Sequence, residues 1–168
     1  MKVLVFGANG MLGNTVIRIM SDNQDWQVYG TVRSNNSVQL FSADIAKNLL
    51  TGVNVEQNDS LMQAFIRIKP DVVINCVGFI KKLAGREVPL QAIAINALLP
   101  HTLAKLCELS GARLIHMGTD CVFSGDKGNY FETDQSDAND IYGKSKLIGE
   151  VDYPYAITLR TSIIGHEL

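Results

Sequence analysis

Three glycines near the N-terminus constrain the fold of this chain more than any other feature. Gly7, Gly10 and Gly13 form a G-x-x-G-x-x-G pattern, which follows the short apolar run Val3–Phe6 and opens a helical pattern over Met11–Met20. A glycine turn between a buried strand and a helix lets a ligand approach the backbone, and the free amides of the helix N-terminus favour a pyrophosphate. The pattern predicts a phosphate-binding turn, and a tight turn needed only for close helix packing is the alternative.

Apolar runs typical of buried strands alternate with helical patterns along the rest of the chain. Strands are predicted at 3–6, 26–32, 50–55, 71–75, 113–117 and 155–160, and helices at 11–20, 58–69, 89–109 and 140–150. Such alternation requires parallel strands joined by right-handed crossovers. We therefore predict an α/β fold, a Rossmann-type doubly wound parallel sheet in a three-layer α/β/α arrangement, with residues 1–168 as one domain.

Local signals place caps, breaks and loops within this framework. Asn58 or Asp59 is expected to cap the second helix, and Pro100 is expected to kink or interrupt the long third one. The segments 33–48 and 118–139 are expected to be long loops, which in a compact domain are usually functional or mobile. The carboxyl ends of the strands are the expected location of a ligand.

Composition excludes several classes of partner. The 168 residues carry a net charge of -2, which provides no general positive field for nucleic acid. Cys76, Cys107 and Cys121 lack C-x-x-C spacing, and the three histidines lack ligand spacing, so we expect a reducing cytoplasm and no metal. The longest uncharged stretch, 88–104, contains two prolines and an asparagine, so it is expected to be a core helix and not a membrane span.

The end of the second predicted strand bears on the choice of dinucleotide. In this fold an Asp or Glu there binds the ribose hydroxyls of NAD, whereas this chain has Gly30-Thr31-Val32-Arg33. Arg33 is suited to a 2′-phosphate, so NADPH is favoured over NADH. The alternative is that Arg33 is simply a solvated residue at the start of a loop.

A tyrosine and a lysine at helical spacing suggest acid–base chemistry. Tyr142 and Lys146 stand at i and i+4 on the last predicted helix and therefore share one face. A nearby ammonium favours phenolate, so we expect Lys146 to lower the pKa of Tyr142 towards neutrality. The same lysine could hold the ribose of a cofactor. The alternative is an ordinary pair on a solvated helix face.

Taken in order along the chain, these motifs resemble those of a known family. The chain is similar to the extended short-chain dehydrogenase/reductases and, within them, to the dTDP-4-dehydrorhamnose reductase-like sugar-nucleotide reductases. The resemblance spans the whole chain, and the segments that carry it are 7–13, 70–78, 96–97, 118–125, 142–146 and 159–162.

The resemblance implies a role for each matching residue. Thr119 would hydrogen-bond the substrate oxygen, Tyr142 would exchange its proton, and Lys146 would bind the nicotinamide ribose. The implied reaction is reduction of a 4-keto nucleotide-linked deoxysugar by NAD(P)H, as in polysaccharide biosynthesis. The cofactor-binding set predicted from the residues and the resemblance together is Gly7, Asn9, Gly10, Met11, Leu12, Arg33, Asn54, Val55, Cys76, Val77, Gly78 and Lys146. Relatives often have Asp in place of Asn54.

Several alternatives stay open at this point. Cys121 stands where related dehydratases usually place a second acid, which disfavours dehydration, whereas epimerisation uses similar tyrosine chemistry. The chain ends at Leu168, before the small sugar-nucleotide domain that family members build from later segments. We therefore expect that the C-terminal substrate domain is absent or truncated, and a catalytically silent dinucleotide-binding or regulatory module is the competing hypothesis. Helix pairs often form dimers in relatives, so a homodimer is possible.

Overall fold

The computed structural model describes residues 1–79 and 88–163. It contains a six-stranded, all-parallel sheet in the order β3-β2-β1-β4-β5-β6. This confirms the predicted doubly wound α/β fold. The strands are β1 Lys2–Phe6, β2 Gln27–Val32, β3 Leu49–Thr51, β4 Val72–Asn75, β5 Arg113–Met117 and β6 Ala156–Leu159.

Helices cover both faces of the sheet. They are α1 Met11–Ser21, α2 Ala43–Ala46, α3 Asn58–Ile68, α4 Val88–Ala92, α5 Leu99–Ser110 and α6 Ile141–Ile148. One apolar core contains Ile17 of α1 with Val3 and Val5 of β1, and the other contains Leu61 of α3 and Leu103 of α5 with Leu4 of β1. Alternate residues of β1 enter opposite cores, because successive strand side chains point to opposite faces. The result is the predicted three-layer arrangement.

Some boundaries and caps differ from those expected. The third strand ends at Thr51 and not at residue 55, because Gly52 turns the chain with a φ of +74°. Gln57 precedes α3 without a side-chain cap, so the expected cap at Asn58 or Asp59 is wrong. The expected loop 33–48 contains a 3-10 helix, Asn35–Leu40, as well as α2, and the expected loop 118–139 contains a 3-10 turn, Asp120–Val122.

The long helical segment is interrupted as expected, but the irregular stretch precedes Pro100 in the chain. A π-helical stretch, Ile93–Leu98, separates α4 from α5, and Pro100 lies in the first turn of α5. Proline has no amide to donate to the carbonyl four residues earlier, which here is that of Asn96. A Cβ at Gly149 would overlap the Asn96 carbonyl, so α6 packs closely at this point. Within the described residues, no helix is long and apolar enough to cross a bilayer.

The strand order places a crevice at the carboxyl ends of the two central strands, β1 and β4. The chain turns to one side of β1 through β2 and β3, and to the other side through β4, β5 and β6. Where the order reverses, between β1 and β4, the connecting segments diverge beyond the carboxyl ends of the strands. The glycine turn after β1 and the Cys76–Gly78 segment after β4 face each other at this point.

Candidate functional site

The glycine turn adopts a conformation that depends on its glycines. Gly7 has a φ of +80°, and its carbonyl accepts a hydrogen bond from the Gly10 amide at 3.0 Å. A Cβ at Gly13 would overlap the Gly7 carbonyl oxygen, so α1 can begin directly against the turn only with glycine there. Thr31 of β2 accepts the Gly7 amide with its hydroxyl at 3.3 Å and the Ala8 amide with its carbonyl at 3.1 Å.

The N-terminus of α1 fits an anionic group. Gly10 precedes the helix without a side-chain cap, and the first turn has no acidic residue. The first hydrogen bond to the Gly10 carbonyl comes from Asn14 at 2.8 Å, so the amides of Met11 and Leu12 precede the intrahelical ladder. Free amides and the positive end of the helix dipole stabilise a phosphate group. Met11 and Leu12 would therefore contribute backbone and not side chains.

A cleft of about 310 Å³ opens beside this turn. Its walls contain most of the predicted cofactor-binding set, namely Gly7, Asn9, Gly10, Arg33, Asn54, Val55, Cys76, Val77 and Gly78. Further lining residues were not predicted, namely Thr31, Val53, Glu56, Phe79 and Ile95. Val53, Glu56 and Phe79 are chain neighbours of predicted residues. Thr31 lies on β2 and Ile95 lies in the helical segment 93–98, and both reach the cleft only through the tertiary fold.

Asn96 connects the cleft wall to the helix that carries the tyrosine and lysine. Its buried side-chain oxygen accepts the Phe79 amide at 2.8 Å, and its Nδ2 donates to the Phe79 carbonyl at 3.0 Å. Nδ2 also donates to the Ser145 hydroxyl at 3.1 Å. The π-helical segment thus holds both the end of the β4 exit and α6 in place.

Lys146 is buried beside the carboxyl end of β5 and does not lie at the surface. Only 4% of the residue is exposed, and its Nζ donates to the Met117 carbonyl at 2.8 Å. Burial lowers the pKa of Lys146 to about 8, and the charge of Glu150 acts in the opposite direction. Its charge also reaches the thiol of Cys76, whose pKa burial raises to about 12.

Tyr142 and Thr119 come together beside the end of β5. Asp140 caps α6 by accepting the Gly143 amide at 2.7 Å, which fixes the turn that presents the half-buried Tyr142. Burial raises the pKa of Tyr142, and a hydrogen bond with Thr119 acts in the opposite direction. The expected lowering by Lys146 is therefore wrong, because burial dominates at the phenol and the ammonium donates to a backbone carbonyl.

The segment after β5 is held by an arginine that the sequence analysis did not single out. Arg160 makes a two-point ion pair with Glu150, at 2.7 and 2.8 Å, and donates to the Glu132 carbonyl at 3.2 Å. Its guanidinium also lies 5.1 Å from the centre of the Phe123 ring. The 118–139 segment is thereby tied, through Arg160, to Glu150 just after the end of α6.

The predicted site residues therefore form two neighbouring groups. The turn residues, Arg33, Asn54 and the Cys76–Gly78 segment line the cleft, whereas Thr119, Tyr142 and Lys146 lie at the carboxyl end of β5 and on α6, outside its lining. Asn96 joins the groups, since its side chain bonds Phe79 of the cleft lining and Ser145 of α6. In the part of the chain that the structure describes, no group of three or more His, Cys, Asp or Glu could hold a metal ion.

Comparison with known proteins places this arrangement in a family. The family model described as RmlD substrate binding domain matches residues 1–164. A probable low-salt glycan biosynthesis reductase from Haloferax volcanii is 31% identical over 98% of this chain and 54% of its own length. The beta subunit of methionine adenosyltransferase 2 from Danio rerio is 30% identical over 99% of this chain and 49% of its own length.

A solved structure agrees with this assignment. The dTDP-4-dehydrorhamnose reductase of Bacillus anthracis, in complex with NADP, superposes with a TM-score of 0.66 and 25% identity, over 88% of this chain and 47% of that one. The chain thus spans about half the length of these proteins. The expected resemblance is confirmed: this chain belongs to the RmlD substrate binding domain family of sugar-nucleotide reductases and their relatives.

Proposed function

We propose that this chain is the NAD(P)H-binding and catalytic part of a reductase that acts on a 4-keto nucleotide-linked deoxysugar. The observation that carries the proposal is the hydrogen bonding of Asn96, which ties Phe79 in the wall of the cleft to Ser145 on the helix that carries Tyr142 and Lys146. The reductases among the related proteins support the same reaction class. Residues 1–168 would form the dinucleotide-binding domain, and most of the sugar-nucleotide contacts would lie outside them.

Each member of the cluster of Thr119, Tyr142 and Lys146 has a separate task in this proposal. A bound nicotinamide cofactor supplies the hydride that reduces the keto carbon. Tyr142 donates its phenolic proton to the oxygen that becomes the hydroxyl, and its raised pKa keeps that proton in place until the oxygen develops charge. Thr119 holds the same oxygen by a hydrogen bond. Lys146 turns its ammonium from the Met117 carbonyl towards the ribose of the cofactor.

NADPH as the preferred cofactor is a further part of the proposal. Arg33 is exposed at the end of β2 and lines the cleft, and no acid follows the strand to repel a 2′-phosphate. Arginine pairs with phosphate through a fork of donors, which a lysine or an amide does not provide. The NADP bound to the reductase of Bacillus anthracis supports this choice.

A binding module without catalysis is the second candidate. One relative that matches 99% of this chain is named as the beta subunit of methionine adenosyltransferase 2 and not as a reductase, which favours this candidate. Such a module needs the glycine turn but has no chemical need for Thr119, Tyr142 and Lys146 together. Substitution within the cluster distinguishes the two candidates, because it abolishes turnover in a reductase, whereas a silent module has no turnover to lose.

A homodimer in the cytoplasm completes the proposal. Helices α4 to α6 leave several large apolar side chains exposed, namely Leu90, Ile93, Leu98 and Ile148, which is the kind of surface that a second copy could cover. The three cysteines are free thiols, as a reducing compartment would keep them. Sedimentation at micromolar concentration tests the dimer directly.

The experiment has a binding part and a turnover part. NADPH and NADH are titrated while nicotinamide fluorescence is followed, and oxidation of NADPH is then measured with a dTDP-linked 4-keto-6-deoxysugar. We expect Tyr142→Phe to retain NADPH binding and lose turnover, and Tyr155→Phe, remote from the cluster, to retain both. The substrate is supplied in large excess, because most of the sugar-nucleotide contacts would lie outside residues 1–168. Binding without any turnover under that condition favours the silent module, and absence of binding refutes both candidates.

A further inference from the structure

A buried polar pair joins β4 and β5 near the carboxyl ends of the two strands. Asn75 and His116 are register partners in the two parallel strands, and neither has any exposed surface. Their side chains meet on one face of the sheet, with 3.1 Å between Asn75 Nδ2 and His116 Nδ1. Neither residue lines the cleft or belongs to the Thr119, Tyr142 and Lys146 cluster. The pair is therefore unexplained by the proposed reaction.

The hydrogen-bonding pattern determines the state of the histidine. The Val77 amide donates to Asn75 Oδ1 at 3.1 Å, and a backbone amide can only donate. The oxygen of Asn75 must therefore face Val77, and its Nδ2 must face His116. Because Nδ2 is a donor, His116 Nδ1 must accept, and the proton of the neutral ring is on Nε2. The side chain of Asn75 has no other orientation that satisfies both partners.

The surroundings of His116 reinforce this state. Burial is the main cause that lowers the pKa of His116 to about 3, and the positive charge of Lys146 acts in the same direction. A protonated ring would also place an N–H against the amide group of Asn75. Nε2 itself has no hydrogen-bond partner among the described residues, so the Nδ1 contact is the one hydrogen bond that the ring makes there. The pair is thus uncharged, and its hydrogen bond has Asn75 as the donor and His116 as the acceptor.

The connection ends at the wall of the cleft. Val77, whose amide Asn75 holds, packs against the glycine turn: a Cβ at Gly7 would lie 3.0 Å from a Val77 methyl group and 3.1 Å from the Val77 nitrogen. Cys76, Val77 and Gly78 all line the cleft. A change in the direction of the Val77 amide would therefore move the wall that faces the phosphate-binding turn.

We propose that His116 is a positioning residue of the dinucleotide cleft: its Nε2–H tautomer fixes the Asn75 amide, which in turn holds the Cys76–Gly78 segment against the glycine turn. The effect on cofactor affinity rests on the proposed function, whereas the position of the Val77 amide does not. His116 touches neither cofactor nor substrate in this role and acts only through Asn75.

Two substitutions separate positioning from simple packing. His116→Phe keeps a ring of similar size but removes the acceptor, whereas His116→Asn loses volume but can present its Oδ1 where Nδ1 stood. If the acceptor matters, His116→Phe raises the Kd for NADPH about tenfold, the scale of one lost buried hydrogen bond, and His116→Asn stays within about threefold of the parent. If only packing matters, the order of the two variants is reversed, and the proposal is overturned.

Amide exchange and nitrogen NMR give a readout that needs no cofactor. We expect a protected Val77 amide in the parent chain and in His116→Asn, faster exchange in His116→Phe, and an unprotonated Nδ1 at His116. If the chain does not bind NADPH, the proposed function fails. These measurements alone then decide whether His116 positions the Val77 amide. A proton on Nδ1, or equal Val77 exchange in all three proteins, refutes the positioning role.

Discussion

Gly13→Ala tests whether close contact at the first turn limits what the helix can accept. Alanine favours a helix interior over glycine by about 1 kcal/mol, so propensity alone predicts a more stable protein. The added Cβ would, however, overlap the Gly7 carbonyl oxygen and lie 2.8 Å from the Gly7 carbonyl carbon and 3.1 Å from the Ala8 Cα. All three are backbone atoms, so no side-chain rotation can relieve the overlap.

The overlap is expected to outweigh the propensity. Insertion of a methyl group into a packed site typically costs about 1–3 kcal/mol, and contact with backbone places this site at the upper end. The net loss is then about 2 kcal/mol, or a fall of about 4–8 °C in Tm for a chain of this size. Because α1 must move away from the turn, NADPH binding is expected to weaken in parallel.

Gly10→Ala is the matched control. A Cβ at Gly10 meets only the Gly7 carbonyl oxygen, at 3.4 Å, and the φ of Gly10 is -81°. We expect a change below about 1 kcal/mol there, the range of an N-cap substitution. Urea unfolding followed by the fluorescence of the single tryptophan, Trp26, measures both variants. Equal stability of the two variants, or a gain for Gly13→Ala, would refute the argument from close contact.

Three further predictions concern charge. Gly10→Asp places a carboxylate beside the phosphate-binding amides, so NADPH affinity should fall more than tenfold at an unchanged Tm, and an unchanged Kd would refute the phosphate placement. Arg33→Ala should weaken NADPH binding more than NADH binding, and equal losses would remove Arg33 from cofactor selection. The pKa of Lys146 is lowered from 10.5 to about 8, so Lys146 contributes a rise in stability with pH between those values, against the fall that the raised pKa of the Cys76 and Cys107 thiols contributes above pH 9. Urea midpoints for Lys146→Met should lack that rise, whereas those for Lys144→Met, at an exposed site on the same helix, should retain it.

Local patterns were sufficient to predict the architecture. Apolar runs identified all six strands, and the glycine spacing identified the turn that starts the first crossover. These features depend on residues within about one element, and parallel topology follows from their alternation. The misplaced end of β3 and the missing cap of α3 show where this reasoning fails. A positive φ at Gly52 and the choice of cap depend on how the segment meets its neighbours.

The site divides in the same way. Sequence alone determined which residue types could bind phosphate and transfer a proton, and it placed Tyr142 and Lys146 on one helix face. Only the tertiary structure decided that Lys146 donates to the Met117 carbonyl. It also decided that Asn96 and Thr31 hydrogen-bond to residues that line the cleft, and that His116 contacts Asn75 next to that lining. Helical spacing specifies which side chains are neighbours along one element. Burial and hydrogen-bond partners come from strands and helices far away in the chain, and these decide the charge state and direction of each group.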